Sequence, residues 1–201
     1  MKFWFDTEFI EDGRTIDLIS IGVVAQDGRE FYAQNQECDW SRASDWVARN
    51  VLIHLAEFDM GERIPANYSK HRDAYNPKET GGWWRQSGVW RRRNEIAASL
   101  IELTGFPETE GYTRPEFWAY YADYDWVVLC QLFGTMMELP KGWPMVCYDV
   151  KQWCDMLGNP QLPVQSDTEH HALADARHCR KQWEYLDLLS RGMAVTASTS
   201  L

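Results

Sequence analysis

The first 35 residues constrain the fold most. Three runs rich in aromatic and β-branched residues, Lys2 to Phe9, Thr15 to Ala25 and Arg29 to Asn35, are separated by Asp12-Gly13 and Asp27-Gly28. Glycine accepts positive φ and aspartate tolerates it, so these dipeptides suit tight hairpins. The stretch predicts an antiparallel three-stranded meander.

Later segments supply helices to cover it. Asp39 or Ser41 is placed to cap a helix whose apolar Val47, Val51, Leu52 and Leu55 share one face. Periodicity then vanishes over residues 59 to 88, a long loop insertion with Pro65, Pro77 and several glycines. Trp90 to Leu103 resumes a helical pattern that Gly105 stops. Pro115 to Tyr121 reads as a strand buried on both faces, followed by a helix from Tyr124 to Phe133. Met145 to Val150 and Lys151 to Leu157 repeat that unit, and a final helix runs from His171 to Ser190. The expected architecture is α/β: a mixed five-stranded sheet, three antiparallel strands then two strand-helix units, flanked by helices, for which the ribonuclease-H-like arrangement is one solution. Residues 1 to 191 form one domain on this reading, and residues 192 to 201 a flexible tail.

Composition narrows the function. With 201 residues, 45% of them hydrophobic, the chain can bury a core of its own. No apolar run approaches the ~18 residues of a membrane span, and the opening MKFWFDTEF has acids where a signal peptide needs an apolar stretch, so a cytoplasmic protein is expected. Five scattered cysteines without a CxxC pair read as reduced packing residues. The net charge of -10 removes the general basic surface of ordinary duplex binders. A polyanionic partner must be held locally, by cations on a carboxylate cluster or by a confined basic patch.

Both devices have candidates. Asp6 and Glu8, two apart on a predicted strand, point to one face, where their repulsion calls for a cation or a proton. An edge strand with solvated acids would look the same, and Asp-Thr-Glu recurs at Asp167 to Glu169. Asp123 and Asp125 lie where a helix begins after a strand; Asp123 is placed to cap, leaving Asp125 to face the sheet. At the last helix, His170-His171-Ala172-Leu173-Ala174-Asp175 offers a carboxylate and a proton acceptor. The same H-x-A-x-x-D pattern begins at His54, but that residue precedes the Asp125 unit and falls in mid-helix.

The order Asp-x-Glu, Asp, His-x-Ala-x-x-Asp resembles the DEDDh exonucleases of the ribonuclease-H-like superfamily. More narrowly, Phe5-Asp6-Thr7-Glu8-Phe9-Ile10, Ile19-Ser20-Ile21-Gly22-Val23-Val24 and Tyr124-Asp125 with Leu129-Cys130-Gln131-Leu132 are similar to the mycobacterial 3′-5′ exoribonuclease family, relatives of ribonuclease T and oligoribonuclease. The resemblance implies Asp6, Glu8, Asp125 and Asp175 as metal ligands, His170 as general base, and a homodimer. Helix geometry alone favours His171, four residues from Asp175, so it stays as the alternative. Four carboxylates can hold two Mg²⁺ or Mn²⁺ ions about 3.5–4 Å apart for phosphodiester hydrolysis. The implied substrate is RNA, single-stranded or with a 3′ overhang, cut to 5′-nucleoside monophosphates. A DNA-directed exonuclease and a non-catalytic nucleic-acid-binding module are the rival readings.

The insertion ends in the chain's basic and aromatic concentration: Trp83, Trp84, Arg85, Trp90, Arg91, Arg92 and Arg93. Arginines that neutralise phosphates and tryptophans that stack bases suit single strands. Tryptophans anchoring the loop on the core, with arginines at a solvated helix start, account for it equally well. His71 and His178 read as surface residues.

Overall fold

In the computed structural model, residues 1–55, 89–105, 110–166 and 169–192 are described. The meander forms as the turn chemistry requires: β1 (Lys2–Glu11), β2 (Ile16–Ala25) and β3 (Glu30–Asn35) pair antiparallel, with Asp6 opposite Gly22 and Gly22 opposite Tyr32. Gly13 and Gly28 adopt φ of 78° and 91° at the two bends. Asp12 Oδ1 accepts from the backbone N–H groups of Arg14 and Thr15 at 3.0 and 2.7 Å, closing the first bend locally.

The next helical pattern breaks into three pieces: Ala43 turns extended after the first, and after Asn50 the bonds tighten to the i to i+3 spacing of His54 N–H to Val51 O and Leu55 N–H to Leu52 O. Asp39 caps a single 3-10 turn, Trp40–Arg42; Ser44, not Ser41, caps α1 (Asp45–Asn50); Leu52–His54 is a second 3-10 turn. His54 therefore ends a turn rather than sitting in mid-helix.

The sheet has six strands, one more than expected. Trp90–Arg91, expected to open a helix, is instead β4, parallel to β3, and α2 (Arg93–Thr104) starts after it. The open edge of β3 recruits this segment through Gln34 N–H to Val89 O at 2.8 Å and Gln36 N–H to Arg91 O at 3.0 Å. The Trp90 ring then meets Trp40 edge-on, 5.9 Å between centroids. Helical periodicity cannot foresee a two-residue strand held this way.

The remaining elements alternate: β5 (Glu116–Ala119), α3 (Asp123–Gln131), β6 (Tyr148–Asp149), α4 (Val150–Met156) and α5 (Ala172–Ser190). β5 runs parallel to β1 and β6 parallel to β5, giving the order β4-β3-β2-β1-β5-β6. Three antiparallel strands followed by two strand-helix units is the ribonuclease-H-like plan. All five cysteines are free, and Cys38, Cys154 and Cys179 are buried.

Alternation along β1 positions the site. Phe3 and Phe5 face α2 and α3, packing with Ile96, Leu100, Val128 and Leu129. On the opposite face, Trp4 joins the cluster beneath α4 and α5, and Ile10 joins the one beneath α1. Asp6 and Glu8 fall between these two apolar clusters. Among the described residues, no helix is long and apolar enough to cross a membrane.

Candidate active site

The start of α5 reaches the sheet because β2 has a glycine there. A Cβ on Gly22 would lie 2.3 Å from Leu173 N and 2.4 Å from the Ala172 carbonyl, closer than real atoms approach. Gly22 is the register partner of Asp6, so this contact delivers the His170–Asp175 segment to the acids of β1.

The two histidines part company at this junction. His171 is the N-cap of α5: its Nδ1 faces the Ala174 N–H at 3.4 Å, and its ring stacks on Tyr32 with centroids 4.6 Å apart. His170 takes a left-handed conformation, φ 65°, and donates its backbone N–H to Asp175 Oδ2 at 2.9 Å. Its ring goes to the acids: Glu8, His170 and Asp175 each place a ligand atom within 4.8 Å of the others. Gln165 Nε2 donates to Asp175 Oδ1 at 2.6 Å.

Asp125 arrives from the other side of the sheet. Thr7, which alternates away from Asp6 and Glu8, donates its backbone N–H and its hydroxyl to Asp125 Oδ1 at 2.8 and 2.6 Å. The capping role expected of Asp123 is absent: Ala122 is the N-cap, and its N–H is taken by Asp149 Oδ2 at 3.2 Å. Asp125 faces the sheet and is buried.

Electrostatics work against the cluster. Burial pushes the Asp6 carboxyl well above the usual carboxylate range, and the charges of Asp125, Glu8 and Asp175 push it further. Burial, then Asp175 and Asp125, raises Glu8 to about 8. Asp125 rises through burial to about 6 although the Thr7 hydrogen bonds oppose the shift. Asp175 also rises through burial, against its bonds from Gln165 and His170. Asp6 and Asp175 open onto a cleft of about 410 Å³, lined also by Tyr120, Gln165, His170 and Gln182, while Glu8 and Asp125 are not part of its wall. His178 shares this wall, half-buried and 3.0 Å from Gln182 Nε2, not on the surface as expected. Hard oxygen donors in a self-repelling cluster could hold a hard divalent cation such as Mg²⁺ or Mn²⁺, with Glu8, His170 and Asp175 the residues whose ligand atoms converge.

A family model, the 3′-5′ exoribonuclease Rv2179c-like domain, matches residues 1–186. The chain belongs to that family. Two relatives from Mycobacterium tuberculosis, the 3′-5′ exoribonuclease Rv2179c of strain ATCC 25618 / H37Rv and the 3′-5′ exoribonuclease MT2234.1 of strain CDC 1551 / Oshkosh, are each 40% identical over 177 residues, 88% of this chain and 88% of theirs. A crystal structure of a full-length 3′-exonuclease aligns with 100% of this chain and 92% of its own, at 11% identity and a TM-score of 0.45. The family expected from the phrases around Asp6, Gly22 and Asp125 is the family found.

In this Rv2179c-like chain the basic segment lies beyond β3. Arg91 donates to Ser99 Oγ at 2.6 Å and lies over the Phe31 ring. Arg93 pairs with Asp17 at 3.2 Å and gives its backbone N–H to Glu37 at 2.8 Å. Arg92 is the N-cap of α2, its N–H held by Glu95 at 2.7 Å. Trp90 is anchored on Trp40 as the second account has it, whereas Arg91 and Arg93 are half-buried and engaged by the protein instead of lying solvated at a helix start. Trp83, Trp84, Arg85, His71, the insertion 59–88 and the tail beyond residue 192 lie outside the described residues.

Three supports carry little or no signal in the sequence. Thr7 is visible there only as the spacer in Asp-Thr-Glu, Gly22 only as part of a familiar phrase, and Gln165 not at all. A glycine in an otherwise Ile/Val-rich strand is itself a sign of close backbone approach, and it is the one usable clue.

Proposed function

We propose that this chain is a divalent-metal-dependent 3′-5′ exoribonuclease that removes 5′-nucleoside monophosphates one at a time from RNA 3′ ends. Asp6, Glu8, Asp125 and Asp175 are the cation ligands, and His170 is the general base. One observation carries the reading: Glu8 of β1 and Asp175 of α5 meet His170 with ligand atoms within 4.8 Å of one another, and the charges acting on Asp6 and Glu8 are other carboxylates, Asp125 of α3 among them. Such a cluster is costly unless cations occupy it.

When bound, two Mg²⁺ or Mn²⁺ ions supply the positive charge that admits a phosphodiester, lower the pKa of the attacking water and stabilise the leaving 3′ oxygen. The protein's own groups do the rest. Thr7 fixes Asp125 by one oxygen, and the backbone of His170 fixes Asp175. The His170 imidazole, beside Glu8 and Asp175, takes the proton of the attacking water. The cleft next to it takes substrate, single-stranded RNA or a 3′ overhang. The enzyme acts as a cytoplasmic homodimer, which sedimentation of the full chain tests.

Labelled RNA and DNA oligonucleotides, incubated with the protein in Mg²⁺, in Mn²⁺ and in chelator, decide among the readings. RNA is expected to shorten from its 3′ end in either metal and to survive in chelator. Shortening of DNA alone would make this a deoxyribonuclease, and binding without shortening would leave a non-catalytic module.

A further inference from the structure

We infer that Trp46 is a positioning residue for His170, holding the imidazole over the acids from outside the catalytic cluster. The inference rests on the reading of His170 as proton acceptor.

The indole of Trp46 meets the His170 ring edge-to-face, with centroids 4.9 Å apart and planes at 79°. Such a pair is directional: the quadrupoles favour one mutual angle, so it restrains orientation as well as distance. The restraint is needed. His170 stands outside α5, in a left-handed backbone conformation, and is tied by its N–H to Asp175; the backbone bond fixes where the side chain starts, not where the ring points. His171, by contrast, has both a cap and the Tyr32 stack.

Trp46 itself is well anchored. Ser44 caps α1 through the Val47 N–H at 3.2 Å, and Ala48 and Val51 pack with Ile10, two residues beyond Glu8 on the same face of β1. The indole is nonetheless 56% exposed, so its place is not explained by the core. Orienting the imidazole accounts for a large aromatic held in solvent at that spot.

The test uses the full-length protein with Mg²⁺ and a single-stranded RNA oligonucleotide. Trp46→Ala is expected to lower kcat by about 10- to 100-fold, the usual range for a group that orients a functional side chain, with KM nearly unchanged. Trp46→Phe, which keeps an aromatic edge, restores most of it. The Cε1 proton of His170 in the NMR spectrum is expected to move in Trp46→Ala and to return in Trp46→Phe. In a His170→Ala background, Trp46→Ala costs nothing more. If His170→Ala is impaired and Trp46→Ala is not, the inference fails while the function stands. An equal cost in the His170→Ala background also overturns it, because Trp46 then acts on the RNA directly. Full activity of His170→Ala removes the general base, and the inference with it.

Discussion

Asp6 and Asp12 belong to the same hairpin and titrate in opposite directions. Asp12, at the exposed bend, is held down at about 2 by the N–H groups of Thr15 and Arg14 and by the Arg42 guanidinium. Asp6, facing α5, is driven up by burial and by three other carboxylates. Asp27 and Glu30 behave like Asp12, each paired with an arginine; Glu8, Asp125 and Asp175 behave like Asp6. The first set serves the fold as charges. The second opposes the fold as charges, the pattern expected of groups kept for binding or catalysis.

Replacing one acid of the second set breaks this comparison hardest. Asp6→Asn keeps the shape while removing a proposed ligand and a repulsive neighbour. Loss of several kcal/mol of transition-state stabilisation, about 10³-fold or more in kcat/KM on RNA, is expected. In chelator at pH 8 the same variant should unfold at a higher temperature than the wild type. Activity within a few-fold of wild type, measured by release of nucleoside monophosphate, would sink the assignment of Asp6. A lowered melting temperature would mean that the cluster is stabilising after all.

Gly22→Ala comes next, since it separates the two acid sets by moving only one of them. The added methyl meets backbone of Leu173 and Ala172, which cannot swing aside as a side chain could. The α5 start must move, and a displacement near 1 Å at reacting groups costs about 10²-fold in rate. Overpacking of this kind destabilises by about 1–3 kcal/mol, read from denaturant unfolding. The bends at Asp12 and Asp27 lie elsewhere and should keep their hydrogen-exchange protection. Wild-type activity would show that α5 is not delivered by this contact.

These two positions also show what one-dimensional reading reaches. The meander is legible because its bends are made by neighbours in sequence, and Asp6 with Glu8 because strand period places them together. Asp125 is legible as an acid after a buried strand. Its anchoring by Thr7 is not, because the two residues are 118 positions apart and meet only once α3 packs on the Thr7 face of β1. His170 and His171 show the limit best. Helix spacing favours His171, yet the chain uses His171 to start the helix and stack on Tyr32, a tertiary contact no local rule contains. β4 escapes for the same reason: its two residues are strand only because the β3 edge is open beside them.

The last expectation is the smallest and comes from sign alone. A carboxyl whose folded value exceeds its unfolded one binds more protons folded than unfolded. Its stabilising contribution is complete below the ordinary carboxylate range and is lost as pH climbs through the folded value. For Asp125 and Glu8 that loss runs up to about 6 and about 8. For Asp12 the sign reverses: its contribution is present above the ordinary range and disappears as pH falls toward about 2. Between pH 6 and pH 8 the Asp12 set is therefore silent while the clustered acids titrate. His171 and His178, whose values burial lowers, act with the opposite sign around the ordinary imidazole range, so the acid contribution is read as the difference between wild type and Asp6→Asn. The chelated protein should melt at a lower temperature at pH 8 than at pH 6. Because cations compete with these protons, the rise in melting temperature on adding Mg²⁺ should be larger at pH 8. Differential scanning calorimetry in Mg²⁺ and in chelator measures both. A Mg²⁺ effect independent of pH would place the cation away from Glu8 and Asp125, and in Asp6→Asn the pH dependence of the effect should shrink, since one charge has left the cluster.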